Sequence, residues 1–297
     1  MVKMTSDRPD THGLTRRTFL VGSGALAATM ALYSSLVARH EISVLSQRIL
    51  VDNLPSAFVG HRIVQLSDFH LEEFTEPFFL ERVVAQVNRL NPDIVLLTGD
   101  FITRGSLNFL IEHHAASRCA EILATIRCAQ KFAVLGNHDV AVSAPMVTAA
   151  LQRQGLPVLH NRYESLTLRG DTLNIAGTAD PGTDRPDLTT AIPSNPTGPV
   201  ILMSHAPDYA DFVVSHPRGS LVDLMLSGHS HGGQVRLPLV GPLVLPPLGR
   251  KYVEGLFHFN RLQLYVNRGL GTVGIPIRLN CPPEITLITL DRQTQAT

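Results

Sequence analysis

The sequence predicts an α/β fold, and three observations carry that prediction. Five short apolar runs, at 62–66, 93–97, 132–135, 200–203 and 224–226, have the length and composition of buried strands. Helical patterns separate the first three, and strand alternating with helix argues a layered core. Beyond Leu156 the pattern changes to shorter period-two runs at 165–168 and 172–175. These read as a second, mixed sheet whose neighbours are the runs 252–257, 262–266 and 285–290.

The chain of 297 residues is long enough for one α/β domain of about 250 residues and a leader. Its formal net charge of zero provides no basic surface for a phosphate backbone, so nucleic-acid binding is not expected. The three cysteines, Cys119, Cys128 and Cys281, form neither a disulfide framework nor a thiolate metal site. Cys119 shares an apolar helical face with Ile122, Leu123 and Ile126 and reads as core.

The elements follow in chain order. Residues 1–42 form the leader: Arg16-Arg17-Thr18-Phe19-Leu20 opens an apolar stretch to about Ala38, and Arg39-His40-Glu41 closes it. That layout is long enough to cross a bilayer. The paired arginines resemble a twin-arginine signal, with Val21 where a lysine often stands. The expectation is export by the twin-arginine machinery, or anchoring to the inner membrane by this segment; a plain Sec signal is the alternative. Residues 34–38 contain no clean cleavage site, so removal of the leader is left open. The domain is expected over 43–292, with a tail at 293–297.

Within the domain, the strand 62–66 leads into Ser67-Asp68-Phe69-His70. A helix follows in which Leu80, Val83, Val84, Val87 and Leu90 share a face, and Asn91-Pro92 ends it. The strand 93–97 leads into Thr98-Gly99-Asp100, and a second helix is expected over 108–128. The strand 132–135 stops at Gly136, which permits a tight turn that presents Asn137, His138 and Asp139. A third helix is expected over 145–154, and the proline-rich stretch 192–199 reads as a surface loop. The last two runs precede Ser204-His205 and Gly228-His229-Ser230-His231.

Strand after strand therefore ends in a carboxylate, an amide or an imidazole. The set Asp68, His70, Asp100, Asn137, His205, His229 and His231 mixes oxygen and nitrogen donors without a thiolate. It suits a pair of divalent ions such as Mn, Fe or Zn better than a structural zinc. His138, beside a ligand-type asparagine, is placed to donate a proton to a leaving group.

The order D-x-H, G-D, G-N-H-[DE], H, G-H-x-H resembles the calcineurin-like metallophosphoesterases over roughly residues 45 to 292. The segments 228–234, 268–271 and 280–283 look like its bacterial branch of exported phosphodiesterases and relatives of UDP-diacylglucosamine hydrolase. The resemblance implies an α-β-β-α sandwich, two mixed sheets flanked by helices. It also implies two metals, one held by Asp68, His70, Asp100 and His231, the other by Asp100, Asn137, His205 and His229. Asp100 would bridge them, and His138 would be the proton donor. In the related protein phosphatases an aspartate orients that histidine; here Thr103 stands in its place, which leaves the orienting residue open. Arg104 is a candidate phosphate contact, or an arginine paired elsewhere.

The implied activity is hydrolysis of a phosphodiester or pyrophosphate, on a lipid-linked or cell-envelope substrate. A nucleotide phosphodiesterase, a phosphoprotein phosphatase and a non-catalytic metal-binding module are the alternatives. The uncharged, proline-rich stretch 237–248 follows His231 closely. It reads either as core or as an apolar rim that meets lipid tails, with Arg250 and Lys251 at headgroup level. His12, His40, His61, His113 and His114 are expected to be structural or solvated.

Overall fold

The computed structural model describes residues 15–72, 74–105 and 109–292. His12, the leader before Thr15, the expected helix start at Asn108 and the tail from Gln293 lie outside the described residues. Helices are α1 (Arg16–Leu36), α2 (Pro77–Leu90), α3 (Phe109–Ala124), α4 (Asn137–Arg153), α5 (Leu188–Ala191) and α6 (Ala210–Ser215). Strands of the first half are β1 (Ser43–Val51), β2 (Arg62–Leu66), β3 (Ile94–Leu97), β4 (Gln130–Ala133), β5 (Arg162–Leu168) and β6 (Asp171–Gly177). Then come β7 (Val200–Met203), β8 (Leu224–Ser227), β9 (Arg236–Leu237), β10 (Gly241–Pro242), β11 (Gly255–Phe259), β12 (Leu262–Val266) and β13 (Glu284–Arg292).

Two mixed sheets stack face to face. One has the order β1-β13-β2-β3-β4 and the other β11-β12-β8-β7-β6-β5. Because successive side chains in a strand point to opposite faces, each buried strand feeds two cores. Val64, Leu66, Val95 and Leu97 pack against α2 and α3 through Val83, Val87, Cys119 and Leu123. Their neighbours Ile63, Ile94 and Leu96 meet Ile175, Ile201, Met203, Leu224 and Leu226 between the sheets. Leu202, Met225 and Leu264 turn outward to a third core with Leu188, Ala210 and Val213. Three apolar layers make four layers of structure, the expected α-β-β-α sandwich.

Four elements differ from expectation. The run 285–290 belongs to the first sheet, where β13 lies parallel to β1 and antiparallel to β2. Its partner β1 is not legible from the sequence because its burial is weak and uneven, and its pairing, Ser43 with Glu284 through Val51 with Arg292, supplies the edge. The run 252–257 is displaced to Gly255–Phe259 and turns back through Asn260, at φ 47°. Helix α3 ends at Ala124, short of Cys128. Helix α4 starts directly at Asn137 rather than at 145 and kinks at Ser143, whose φ of −176° is extended. Pro145 explains the kink, since its ring clashes with a preceding helical turn and it has no N–H to donate.

The ends of the strands matter most. Parallel strands β2, β3, β4, β7 and β8 all finish at one edge of the sandwich, where the polar loops that follow them converge. Placement of β13 in the first sheet makes Ile288, buried between the sheets, a test of the topology. Ile288→Ala should cost about 2–5 kcal/mol in urea unfolding; a loss below about 1 kcal/mol would contradict that position.

Candidate metal and catalytic site

The loops hold their side chains by unusual backbone. Asp68, His70, Asp100, His229 and His231 all have positive φ, between 46° and 68°. Each non-glycine residue held there costs about 1–3 kcal/mol, a strain that surrounding structure must over-determine. Glycines let the loops close on the carboxylates. A Cβ on Gly136 would lie 2.2 Å from Asp100 Oδ1, and one on Gly228 would lie 2.3 Å from Asp68 Oδ2.

All seven donors expected from the sequence meet at this edge. His231 Nε2 lies 3.1 Å from His70 Nε2 and 3.3 Å from Asp68 Oδ1. His205 Nε2 lies 3.2 Å from Asp100 Oδ2 and 3.2 Å from His229 Nδ1. Asp100 Oδ2 is also 3.6 Å from His70 Nε2, so this carboxylate stands between the two groups.

Hydrogen bonds on the far sides of the rings show what the near sides want. His205 Nδ1 donates to the Thr98 carbonyl at 2.7 Å, and His229 Nε2 donates to the Pro247 carbonyl at 2.7 Å. Each neutral ring therefore turns a lone pair, not an N–H, toward the other. Two facing lone pairs repel unless a positive charge lies near them. The carboxylates of Asp100 and Asp68 outweigh the burial of His205 and raise its pKa well above the ordinary 6.5, so a positive charge at Nε2, whether a proton or a metal ion, is favoured there. The Asn137 carbonyl oxygen is buried with no hydrogen-bond partner. An orphaned acceptor, opposed lone pairs and two carboxylates fit divalent cations, and the donor clusters Asp68–His70–His231 and Asp100–His205–His229 are compact enough to hold them.

Around this set lies a second ring of contacts. The Asp139 carboxylate, fully buried, accepts from the backbone N–H groups of Asp100 (2.8 Å), Phe101 (2.9 Å), Ile102 (3.3 Å) and Gly136 (2.9 Å). Burial and then the Asp100 charge raise its pKa, while these amides oppose the shift. The residue that orients His138, left open by the sequence, is not Thr103. Thr103 Oγ1 bonds His70 Nδ1 at 2.9 Å, and His138 Nδ1 instead accepts the Arg104 backbone N–H at 3.0 Å. A neutral His138 whose Nδ1 accepts that amide carries its proton on Nε2. Arg104 itself is exposed and reaches the site through its main chain.

Sequence reasoning missed the brace behind Asp68. Leu270 N–H donates to the Ser67 carbonyl at 3.0 Å and Gly271 N–H to the Asp68 carbonyl at 2.7 Å. Arg278, wholly buried, holds that loop by donating to the carbonyls of Arg268 (3.0 Å), Gly271 (2.6 Å) and Cys281 (3.1 Å). The segments 268–271 and 280–283 were visible in the sequence, but not what they support. Two of the other histidines have partners away from the site: His40 bonds Glu76 at 2.9 Å, and His61 packs on Phe58. All three cysteines are free, and Cys119 is core as expected.

Above the donors opens a cavity of about 510 Å³. Its floor is Asp100, Asn137, His138, His229 and His231, and its walls include Val235, Leu243, Val244, Val273 and Ile275. The stretch 237–248 is therefore not core. Val244 is 77% exposed and Leu239 fully so. Lys251 does not stand free at a headgroup level: its Nζ pairs with Asp211 at 2.8 Å.

A two-sheet sandwich with carboxylate, amide and imidazole donors gathered at its strand ends defines a metallophosphoesterase. Residues 61–233 match the family model described as calcineurin-like phosphoesterase, and the chain belongs to that family. It is a metal-dependent phosphoric ester hydrolase of a family that uses a dinuclear divalent metal centre. It is 34% identical to the metallophosphoesterase YkuE of Bacillus subtilis, covering 93% of this chain and 98% of that one. Phosphodiesterase YaeI of Escherichia coli is 30% identical, covering 93% and 99%. The UDP-2,3-diacylglucosamine pyrophosphatase LpxG of Chlamydia trachomatis is 32% identical, covering 80% and 86%. Among solved structures, the NAD nucleotidase of Haemophilus influenzae shares the fold, with a TM-score of 0.51 and 17% identity over 71% of this chain and 45% of that one.

The central place of Asp100 leads to a direct test. Asp100→Asn should lower metal content and activity more than His231→Ala does, read by elemental analysis of the purified protein. One ion per chain, retained by Asp100→Asn, would refute a shared ligand.

Proposed function

We propose that this hydrolase cleaves a phosphodiester or pyrophosphate bond in a substrate that carries an apolar, lipid-type chain. One observation carries the reading: the apolar cavity has the metal-donor set as its floor. A charged phosphoryl group needs the floor, and only a hydrocarbon gains from the Leu243 and Val244 walls. The names of the relatives YaeI and LpxG, a phosphodiesterase and a pyrophosphatase for a diacylated nucleotide sugar, support the same chemistry.

The donor clusters support these residue roles. Asp68, His70, Asp100 and His231 would hold one divalent ion; Asp100, Asn137, His205 and His229 would hold the second, of Mn, Fe or Zn type. Bound there, the ions would neutralise phosphoryl oxygens and make water a stronger nucleophile near neutral pH. His138 directs its Nε2 proton to the leaving oxygen, and the Arg104 amide on Nδ1 keeps the ring in that orientation. Asp139 keeps the Asp100 and Asn137 loops in register. Arg104 is the candidate phosphate contact: it is exposed, and its backbone N–H meets the His138 ring.

Two measurements test this. Esters with the same p-nitrophenol leaving group but a methyl or an octyl second substituent separate chain binding from chemistry. The octyl ester should have a kcat/KM at least about tenfold higher, since each buried methylene contributes about 0.8 kcal/mol. Leu243→Ser with Val244→Ser should erase that difference; equal rates in the parent chain would defeat the reading. His138→Ala should keep its metals yet lose about 10²–10⁴-fold in kcat on poor leaving groups, and least on p-nitrophenyl esters. Equal losses across leaving groups would remove His138 from the proton-donor role.

A further inference from the structure

Helix α1 meets the domain at Arg278, three residues along the chain from Ile275 in the cavity lining. Its 21 residues span about 31 Å, the thickness of a bilayer's hydrocarbon core. The shaft is bare: Phe19, Leu20 and Val21 are each more than 60% exposed, and Leu32 and Leu36 nearly as much. The base is not bare. Ser34 is buried, and its carbonyl accepts the Arg278 N–H at 3.2 Å. Just beyond, Arg39 bonds the Phe74 carbonyl and Glu76, and His40 bonds the other Glu76 oxygen at 2.9 Å. A leader destined for removal has no need of such ties to the folded domain.

Segment 275–279 joins that base to the cavity. Ile275 lines the cavity and is 49% exposed. Arg278 holds the helix through Ser34, and the Leu279 carbonyl accepts the Arg236 N–H at 2.9 Å, which ties in the β9–β10 hairpin. At the hairpin's tip Leu239 and Val240 project into solvent, and Val244 stands at the cavity wall. Apolar tip, cavity mouth and helix base thus flank one short stretch of backbone. Exposed apolar surface of this kind, continuous with the root of a helix long and apolar enough to cross a membrane, fits a lipid surface.

Charge sets the direction. Four basic residues, Lys3, Arg8, Arg16 and Arg17, lie at or before the start of the helix, against two, Arg39 and Arg48, in residues 37–51 beyond its end. By the rule that basic flanks stay in the cytoplasm, the domain lies on the opposite side. We propose that α1 is retained as an anchor, and that Leu239, Val240 and the cavity mouth seat in the outward-facing leaflet of the same phospholipid bilayer. The apolar-chain phosphoester then enters the site from the lipid phase on the extracytoplasmic side. This rests on the reading of the cavity given above.

The chain has no tryptophan, so a single introduced one reports alone. Phe19→Trp places it in the shaft and Leu239→Trp at the hairpin tip. Each full-length variant is reconstituted in vesicles of phosphatidylcholine and phosphatidylglycerol, with plain or brominated acyl chains. Both should lose roughly half their emission in the brominated vesicles, as for a ring about 5–10 Å below the headgroups. Quenching of Phe19→Trp alone would overturn the docking of the mouth, and quenching of neither would overturn the anchor as well. Val240→Trp repeats the tip measurement should Leu239→Trp fold poorly. Intact mass of the protein from cell membranes should include α1; a chain starting after residue 38 would overturn retention. Hydrolysis of the methyl ester, unaffected by Leu239→Trp, reports separately on the phosphoesterase reading, because Leu239 does not line the cavity.

Discussion

Four backbone N–H groups converge on one buried carboxylate, and the site depends on that knot. Asp139 takes amides from the loop after β3 and from the turn after β4, so the two loops cannot move apart without stranding a buried carboxyl group and the amides it satisfies. Breaking such a group's partners costs several kcal/mol, far more than the net value of an ordinary hydrogen bond. With the loops locked, Asp100 and Asn137 face one another across a fixed gap. The Asp100 side chain answers by accepting the His138 N–H at 2.9 Å, which sets the start of α4.

The same logic runs through the other ligands. Positive φ at five donor positions is strain, and strain survives only where closure elsewhere exceeds it. Glycines supply the room: Gly136 lies against Asp100 and Gly228 against Asp68, where any Cβ would collide. Arg278 supplies the tension from behind, with its guanidinium spent on backbone carbonyls rather than on a carboxylate. Burial lowers its pKa, the expected cost of placing a guanidinium in the interior, and three carbonyls offset that cost.

Function then follows from a contrast of surfaces. The floor of the cavity is dense with charge and lone pairs, whereas its walls are aliphatic and stand open to solvent. A soluble small ester would use the floor alone. An aliphatic wall at the surface is costly in water and is stabilised only when it is covered.

Much of this was legible in residue order. Every strand end carrying a donor, from Asp68 to His231, was identifiable because apolar runs and ligand-type residues are local patterns, and so were the α/β layering and the core role of Cys119. Local pattern could not place β13, since its apolar residues suit either sheet and only pairing with the weakly patterned β1 decides between them. It left the partner of His138 open because a side chain and a backbone amide one residue apart compete for two histidines, and the curl of the loop awards His70 to one and His138 to the other. Nor could it tell a core connection from an open cavity wall at 237–248, where the residues are the same and only exposure differs. The donors and their order were thus determined by sequence; which partner each one faces was decided by tertiary structure, because hydrogen bonds between distant loops exist only once both loops have been closed.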